Sequence, residues 1–217
     1  MTHRRGDPYA GVPGRRIFVA SPLPSAARAA VEALVESVRG GADPGEREVR
    51  WVRLDGLHIT LRFIGPTPDA RVEAASEAVR TAAAIGAAFE ARLDGAGAFP
   101  DAIRPRTLWL GLDEGAAELA RLTRAVDGEL AARGWPPDER PFRPHLTLAR
   151  SDGVGTGART AARLMQAAAD LDVRWEVDRL VLFESVTGGG PARYVPLFEA
   201  PLGRDHRPGR PSEGPTD

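Results

Sequence analysis

The sequence predicts an α+β fold built from two similar halves, for two reasons. Short apolar, β-rich segments are interspersed with amphipathic helical patterns, but without the steady strand–helix–strand rhythm of a parallel sheet. In addition, the pattern of Leu57–Leu61 (LHITL) returns at Pro144–Leu148 (PHLTL), 87 residues further along the chain, and each copy is followed by a loop and a helix. We therefore expect two pseudo-symmetric lobes.

Helix-terminating residues and apolar spacing define the elements of the first half. Pro24 and Ser25 open a helix that Gly40 and Gly41 end, and a β-rich run stops at Gly65. The predicted elements are a strand at 16–20, a helix at 25–40, a strand at 57–64 and a helix at 69–84.

The second half begins with two strands around a Gly- and Pro-rich stretch. The helix that follows carries leucine and valine on one face, and Gly134 lies beyond its end. The predicted elements are strands at 89–93 and 107–112, a helix at 114–133, a strand at 142–149, a helix at 157–169, and strands at 174–186 and 194–202.

Both ends of the chain offer little apolar surface to offset the entropy of ordering. Residues 1–14 and 204–217 are rich in glycine, proline and charge, so we expect both segments to be disordered. The predicted folded unit is a single domain at 15–203.

Composition excludes several classes of function. The chain has no cysteine, which rules out disulfides, thiolate metal sites and cysteine nucleophiles. A formal net charge of -1 is not that of a general nucleic-acid coat protein, so any anionic ligand must be met by local charge. No apolar run approaches the roughly 20 residues of a membrane span, and no secretory signal is recognisable. We expect a cytoplasmic protein, a monomer, with no membrane partner.

The repeated motif carries the candidate chemistry. Because side chains alternate along a strand, His58 and Thr60 share one face while the residues between them face the core, and the same holds for His145 and Thr147. Histidine titrates near ~6.5, so two of them can hold one proton and act as general acid and base. Threonine hydroxyls can donate to phosphate oxygens. A metal site built on the two histidines is an alternative, but the sequence has neither an HExxH pattern nor clustered carboxylates to support it. We therefore predict no metal and no cofactor.

These residues resemble those of the 2H phosphoesterases, in the RNA 2′,3′-cyclic phosphodiesterase branch also called 2′-5′ RNA ligases. The resemblance runs from Arg16 to Leu202. It rests on the segments RIFVASPLP, HITLRFIG, GAGAFP, RTLWLGL, RPFRPHLTLAR and LVLFESV with RYVPL. It implies a bilobal fold in which antiparallel sheets face a central cleft, with the helices outside. The stretch before the first motif, at 53–56, lacks the Pro or Glu that such proteins often have there.

The resemblance also implies roles for the site residues. His58 would be the proton donor to the leaving O3′ and His145 the proton acceptor that activates water, opening RNA 2′,3′-cyclic phosphate ends to 2′-phosphomonoesters. Thr60 and Thr147 would bind the phosphate. The motif itself gives both histidines the same neighbourhood, so it does not distinguish acid from base. Weak 2′-5′ ligation in reverse is left open.

An arginine is expected on the phosphate, and two arguments disagree on which one. Strict alternation puts Arg62 on the face of His58 and Arg150 on the face opposite His145. The family pattern instead favours Arg150, at a point where the strand could end or bulge. We predict Arg150 as the phosphate ligand. Arg62 and Arg143 remain candidates for the cleft rim.

Aromatic residues could stack on an RNA base, but core packing is the favoured role for those near the motifs. This applies to Phe18, Trp51 and Phe142, and also to Trp109 and Trp175, which lie within apolar strand patterns. Trp135 is predicted to anchor a loop.

Two other functions stay open. One is a nucleotide-binding module that turns nothing over, which the paired histidines argue against. The other is a phosphodiesterase acting on 2′-5′ oligoadenylate or another small cyclic phosphodiester. Products from a panel of substrates would separate these from the RNA enzyme.

Overall fold

The computed structural model describes residues 12–42, 49–151, 155–188 and 190–203. The segments 1–11 and 204–217, which carry most of the predicted disorder, lie outside the described residues. Four helices and nine strands form the described part of the chain. The helices are α1 (Ser25–Gly40), α2 (Asp69–Ala84), α3 (Ala116–Ala132) and α4 (Gly155–Ala167). The strands are β1 (Arg15–Pro22), β2 (Arg50–Trp51), β3 (His58–Thr67), β4 (Phe89–Phe99), β5 (Thr107–Leu112), β6 (His145–Arg150), β7 (Val173–Val177), β8 (Arg179–Val186) and β9 (Arg193–Pro201).

All the strands belong to one curled, antiparallel sheet with the order β7-β4-β5-β6-β3-β1-β8-β9, and β2 pairs with β6 outside this path. The sheet has two halves, which meet where β6 lies beside β3. Helices α1 and α4 pack together, against β7 and β4 respectively, on one half; α2 and α3 pack together on the other, against β8, β9 and β3. The predicted α+β class is confirmed.

Helix ends follow their sequence signals. Gly134, with φ 85°, adopts the left-handed conformation that ends α3, and its N–H donates to the carbonyl of Ala131 at 2.9 Å. Buried faces of the helices supply much of the core, for example Val31 and Val35 from α1 and Leu119 and Val126 from α3, each with no exposed surface.

Several features differ from the predicted elements. Strand β3 continues through Gly65 and Pro66 to Thr67, although the prediction ended it at 64. Strand β4 continues to Phe99, into the Gly- and Pro-rich stretch that was expected to lie between two strands. The predicted strand at 174–186 is two strands, β7 and β8, separated at Asp178. Strand β2 was not predicted, since two residues are too few for a periodic pattern.

Within the described part of the chain, no helix combines the length and the hydrophobicity needed to cross a membrane.

Candidate active site

The two motif strands lie side by side at the centre of the sheet. Strands β3 and β6 are antiparallel, and Ile59 pairs with Leu146. On an antiparallel pair, the neighbours of these two residues point to the opposite face of the sheet. The register therefore places His58 across from Thr147 and Thr60 across from His145. The four predicted side chains are brought together on one face.

Each motif strand has a β-bulge immediately after its threonine. In β3, Thr60 pairs with Ala20 and Arg62 with Val19, which leaves Leu61 as the extra residue. In β6, Thr147 pairs with Trp109 and Ala149 with Leu108, which leaves Leu148 as the extra residue. The bulges fall at the same position of the two motifs, and each one inverts the alternation of the residues that follow it.

The bulges decide between the two candidate arginines. Arg150, three residues after Thr147, lines the same cleft as Thr60 and Thr147. Arg62 instead lies among buried residues, with 8% of its surface exposed, so its predicted place on the face of His58 is wrong. At the position equivalent to Arg150, β3 carries Phe63. Strict alternation would place Phe63 in the core, but its side chain lines the cleft.

Backbone carbonyls orient both imidazoles in the same way. The Nδ1 atom of His58 lies 2.7 Å from the carbonyl oxygen of Gly56, and that of His145 lies 2.7 Å from the carbonyl oxygen of Arg143. A carbonyl only accepts, so each Nδ1 carries a hydrogen and donates it. In the neutral ring, Nε2 then has a free lone pair to accept a proton, and in the charged ring it can donate one.

The ring of His58 is enclosed by aromatic side chains. Ring centroids lie 4.9 Å away for Phe18, 6.1 Å for Phe183 and 4.8 Å for Tyr194, whose ring is nearly perpendicular to the imidazole. Burial lowers the pKa of His58 to about 4, and the charges of His145 and Arg150 act in the same direction, against the hydrogen bond to Gly56. His145 is thus close enough to lower the pKa of His58.

His145 has a more open environment. Its ring lies 5.1 Å from Phe99 and 6.3 Å from Trp109, and it stands beside the cleft without forming part of its wall. Burial lowers the pKa of His145, and Arg150 lowers it further, while the hydrogen bond to Arg143 opposes the shift. Arg150 therefore places positive charge near both imidazoles.

The cleft has a volume of about 310 Å³ and a wall of mixed chemistry. Its wall includes four polar or charged residues that the sequence did not indicate: Arg16, Ser185, Thr187 and Tyr194. Three of them come from or follow β8 and β9, which are far from the motifs in the chain. The available signals were the segments RIFVASPLP, LVLFESV and RYVPL, which contain Arg16, Ser185 and Tyr194. A larger cavity of about 1300 Å³ lies elsewhere and is bounded by carboxylates such as Glu90, Glu118 and Asp178, which would repel a phosphate.

The remaining aromatic and basic candidates have separate positions. Phe18 is 3% exposed, but it packs on His58 and lines the cleft, so its role is not confined to the core. Trp109 lies beside His145 and not in the core. Core packing is confirmed for Trp175, and Trp51 and Phe142 are partly buried against the core. Trp135, which was predicted to anchor a loop, is buried in the core, and the side chain of Arg143 is exposed.

Among the described residues, no group of three or more His, Cys, Asp and Glu side chains has the arrangement of a metal site. The polar groups that face the cleft are imidazoles, hydroxyls and arginines. This donor set suits an anion better than a cation.

Comparisons with known proteins identify the family of this chain. Residues 22–189 match the family model of the 2'-5' RNA ligase superfamily. An RNA 2',3'-cyclic phosphodiesterase of Geobacillus stearothermophilus is 33% identical over 192 residues, which are 86% of this chain and 59% of that protein. One from Aeropyrum pernix is 36% identical over 153 residues, covering 70% of this chain and 85% of that protein.

A solved structure has the same fold. The crystal structure of E. coli LigT complexed with 3'-AMP superposes with a TM-score of 0.66 at 27% identity, covering 87% of this chain and 98% of that one. The matched family region contains both His-x-Thr strands and both bulges. This chain belongs to the 2'-5' RNA ligase superfamily.

Proposed function

We propose that this chain hydrolyses RNA 2′,3′-cyclic phosphate ends to 2′-phosphomonoesters, with His58 and His145 as the acid and base pair and without a metal ion. The observation that carries the proposal is the meeting of two His-x-Thr strands at one residue pair, with Arg150 beside them. Relatives in this family are named for the same reaction.

Each imidazole performs one of the two proton transfers of the reaction. His145 accepts a proton from water at Nε2 as the water oxygen attacks phosphorus. The bond from phosphorus to O3′ breaks, and His58 donates its Nε2 proton to that oxygen. The products are a 2′-phosphomonoester and a free 3′-hydroxyl, with His145 protonated and His58 neutral. Exchange with solvent then restores the starting protonation.

The phosphate oxygens are met by groups that do not react. The hydroxyls of Thr60 and Thr147 donate from opposite strands, and the guanidinium of Arg150 supplies the positive charge that a chain of net charge -1 does not supply globally. A cyclic phosphate adds negative charge in the transition state. Donors fixed on strands stabilise that charge with little rearrangement.

The low pKa of His58 has to be reconciled with its role as acid. With a pKa of about 4, the ring is neutral in the free protein at neutral pH. A bound phosphate anion favours the charged imidazole and raises its pKa. We propose that substrate binding itself loads the proton that His58 later donates.

The test is incubation of the purified protein, in excess EDTA, with an oligoribonucleotide ending in a 2′,3′-cyclic phosphate, followed by identification of the product end. The expected product is a 2′-phosphate. A 3′-phosphate, or activity that EDTA abolishes, would contradict the proposal. Absence of turnover together with tight nucleotide binding would indicate a binding module instead. Parallel incubation with 2′-5′ oligoadenylate tests for a different phosphodiester substrate.

A further inference from the structure

The two motif strands are joined by very little backbone pairing. Strands β3 and β6 share one residue pair, Ile59 with Leu146, whereas β3 pairs with β1 along its whole length from His58 to Thr67. One pair can serve as a pivot, but it does not fix the angle between the halves of the sheet. Because His58 and His145 lie on opposite sides of this junction, their separation depends on additional contacts.

Arg62 makes such contacts on the face away from the cleft. The bulge at Leu61 turns Arg62 away from the face of His58, and its guanidinium is buried. Its Nη1 donates to the carbonyl oxygen of Phe63 at 3.1 Å, and its Nη2 donates to the carbonyl oxygen of Pro136. Arg62 therefore joins the first motif strand to a distant part of the chain.

Two carboxylates complete the surroundings of this guanidinium. Oδ1 of Asp127, on α3, lies 2.8 Å from Nε of Arg62, and Oδ2 of Asp138 lies 3.3 Å from Nη1. The backbone N–H of Asp138 donates to the carboxylate of Asp127 at 3.2 Å, and Arg140 holds the pKa of Asp138 below its usual value. We call Arg62, Asp127, Pro136 and Asp138 the crossing clamp.

The clamp holds the segment that delivers the second histidine. Helix α3 packs on β3 in one half of the sheet, and residues 133–144 then cross to β6 in the other half. Pro136 and Asp138 lie in this crossing segment. At its end, the carbonyl of Arg143 accepts the hydrogen bond that orients His145. Arg62, four positions after His58, thus contacts the segment that leads to His145.

We propose that Arg62 is a positioning residue, which fixes the His145 strand relative to the His58 strand through the crossing clamp. A buried ion pair is a poor device for stability alone, since apolar residues of similar size often serve as well or better. Its directional contacts instead specify one arrangement of the strands. The expected effect on activity rests on the proposed function.

The first test compares Arg62→Met and Arg62→Lys with Arg174→Met. Arg174 is the control because it also pairs with carboxylates, Glu90 at 2.9 Å, Glu114 at 2.6 Å and Asp172 at 3.1 Å, but at the edge strand β7. We expect kcat per folded molecule to fall about tenfold or more in Arg62→Met, with KM within about threefold, because misplacement by about 1 Å can cost ~10²-fold. Arg62→Lys should recover part of this loss, and Arg174→Met should keep the parent kcat.

Folding is monitored by circular dichroism, so that activity is counted per folded molecule. A folded Arg62→Met protein with the parent kcat, or a loss equal to the unfolded fraction, would overturn the proposal. If Arg62→Met does not fold, Asp127→Asn takes its place, because it keeps the guanidinium and removes one ion pair. We expect a smaller fall in kcat from Asp127→Asn, and an unchanged kcat would overturn the proposal.

A second readout does not need turnover. The chain has no cysteine, so Glu36→Cys on α1 and Glu73→Cys on α2 can carry spin labels on the two halves of the sheet. The distance distribution between the labels should broaden in Arg62→Met and stay unchanged in Arg174→Met. An unchanged distribution in Arg62→Met would overturn the clamp. If the parent protein fails to hydrolyse the RNA end, the proposed function fails while the label distances still test the clamp.

Discussion

Strands β3 and β6 have the same His-x-Thr-Leu sequence, the same bulge and the same hydrogen bond from the histidine to the carbonyl two residues before it, but they present different groups to the cleft. Three residues after the threonine, β6 offers the cation Arg150 and β3 offers the apolar ring of Phe63. The shared features fix the geometry of an imidazole beside a hydroxyl. The differing residue then gives the two sides of the cleft different chemistry.

The surroundings of the two histidines also differ, with more apolar burial around His58 than around His145. Three aromatic rings surround His58, and burial lowers its pKa to about 4. His145 contacts Phe99 and Trp109 at the side of the cleft. A duplicated motif therefore does not produce equivalent histidines, because residues from β1, β8 and β9 surround one and residues from β4 and β5 surround the other.

Removing either imidazole should have the largest effect. We expect His58→Ala and His145→Ala each to lower kcat by about 10²- to 10⁴-fold, the usual contribution of a positioned acid or base. The measurement is hydrolysis of an RNA 2′,3′-cyclic phosphate end, with thermal unfolding as the control for folding. Near-normal turnover in either variant would mean that the chemistry does not depend on the pair.

Substitution of Arg150 and Phe63, the cleft residues that differ between β6 and β3, tests whether that difference matters for activity. Arg150→Met removes a charge from the phosphate side and should lower kcat/KM by roughly 10- to 100-fold, given about 1.5–3 kcal/mol for a hydrogen bond to a charged group. Phe63→Leu keeps an apolar side chain and should change kcat/KM less.

The matched control is Arg143→Met, since that side chain is exposed and only its backbone carbonyl contacts His145. Equal losses from Arg143→Met and Arg150→Met would show that general positive charge matters more than the position created by the bulge.

Local sequence was sufficient for most elements and for the shared face of the four motif side chains. The bounds of α2 and β5 are those predicted, because apolar spacing is a local signal. Gly65 and Pro66 do not end β3 as predicted, because both pair with β1. His58, Thr60, His145 and Thr147 follow from alternation along a strand. Strand β6 begins three residues later than predicted, since Pro141 and Pro144 lack the N–H of a ladder residue.

The choice between Arg62 and Arg150 could not be made from local sequence. It depends on the bulges at Leu61 and Leu148, and these are set by the register with β1 and β5, which are distant in sequence. The part of the cleft wall formed by Arg16, Ser185 and Tyr194 likewise depends on how distant strands pack together. Sequence periodicity describes one strand at a time and does not contain this information.

The pH dependence should report the unequal histidines. Both imidazoles have a pKa below the usual value near ~6.5, so both are neutral in the free protein at neutral pH. With His58 as acid and His145 as base, the active form has one proton on the pair, so kcat/KM should be bell-shaped and should fall as pH rises above both pKa values. The profile of kcat should have its alkaline limb at higher pH, since bound phosphate favours the charged ring.

Arg150→Met sharpens this measurement, because Arg150 lowers the pKa of both histidines. In that variant the limbs of the kcat/KM profile should move to higher pH. Coincident alkaline limbs for kcat and kcat/KM in the parent protein would argue against loading of His58 by the substrate.

The smallest effect is expected where only one histidine is disturbed indirectly. A Cβ atom at Gly97 on β4 would overlap the indole of Trp109, whose ring lies beside His145. Gly97→Ala should therefore displace Trp109 and lower kcat a few-fold, while the aromatic surroundings of His58 are unchanged. The control is Gly128→Ala on α3, where an added Cβ meets nothing within 4 Å.

The pH profiles of the two variants distinguish the strands: Gly97→Ala should move only the limb assigned to His145. A shift of both limbs would mean that the two histidines respond to Trp109 as one unit, and that the difference between β3 and β6 does not extend to their chemistry.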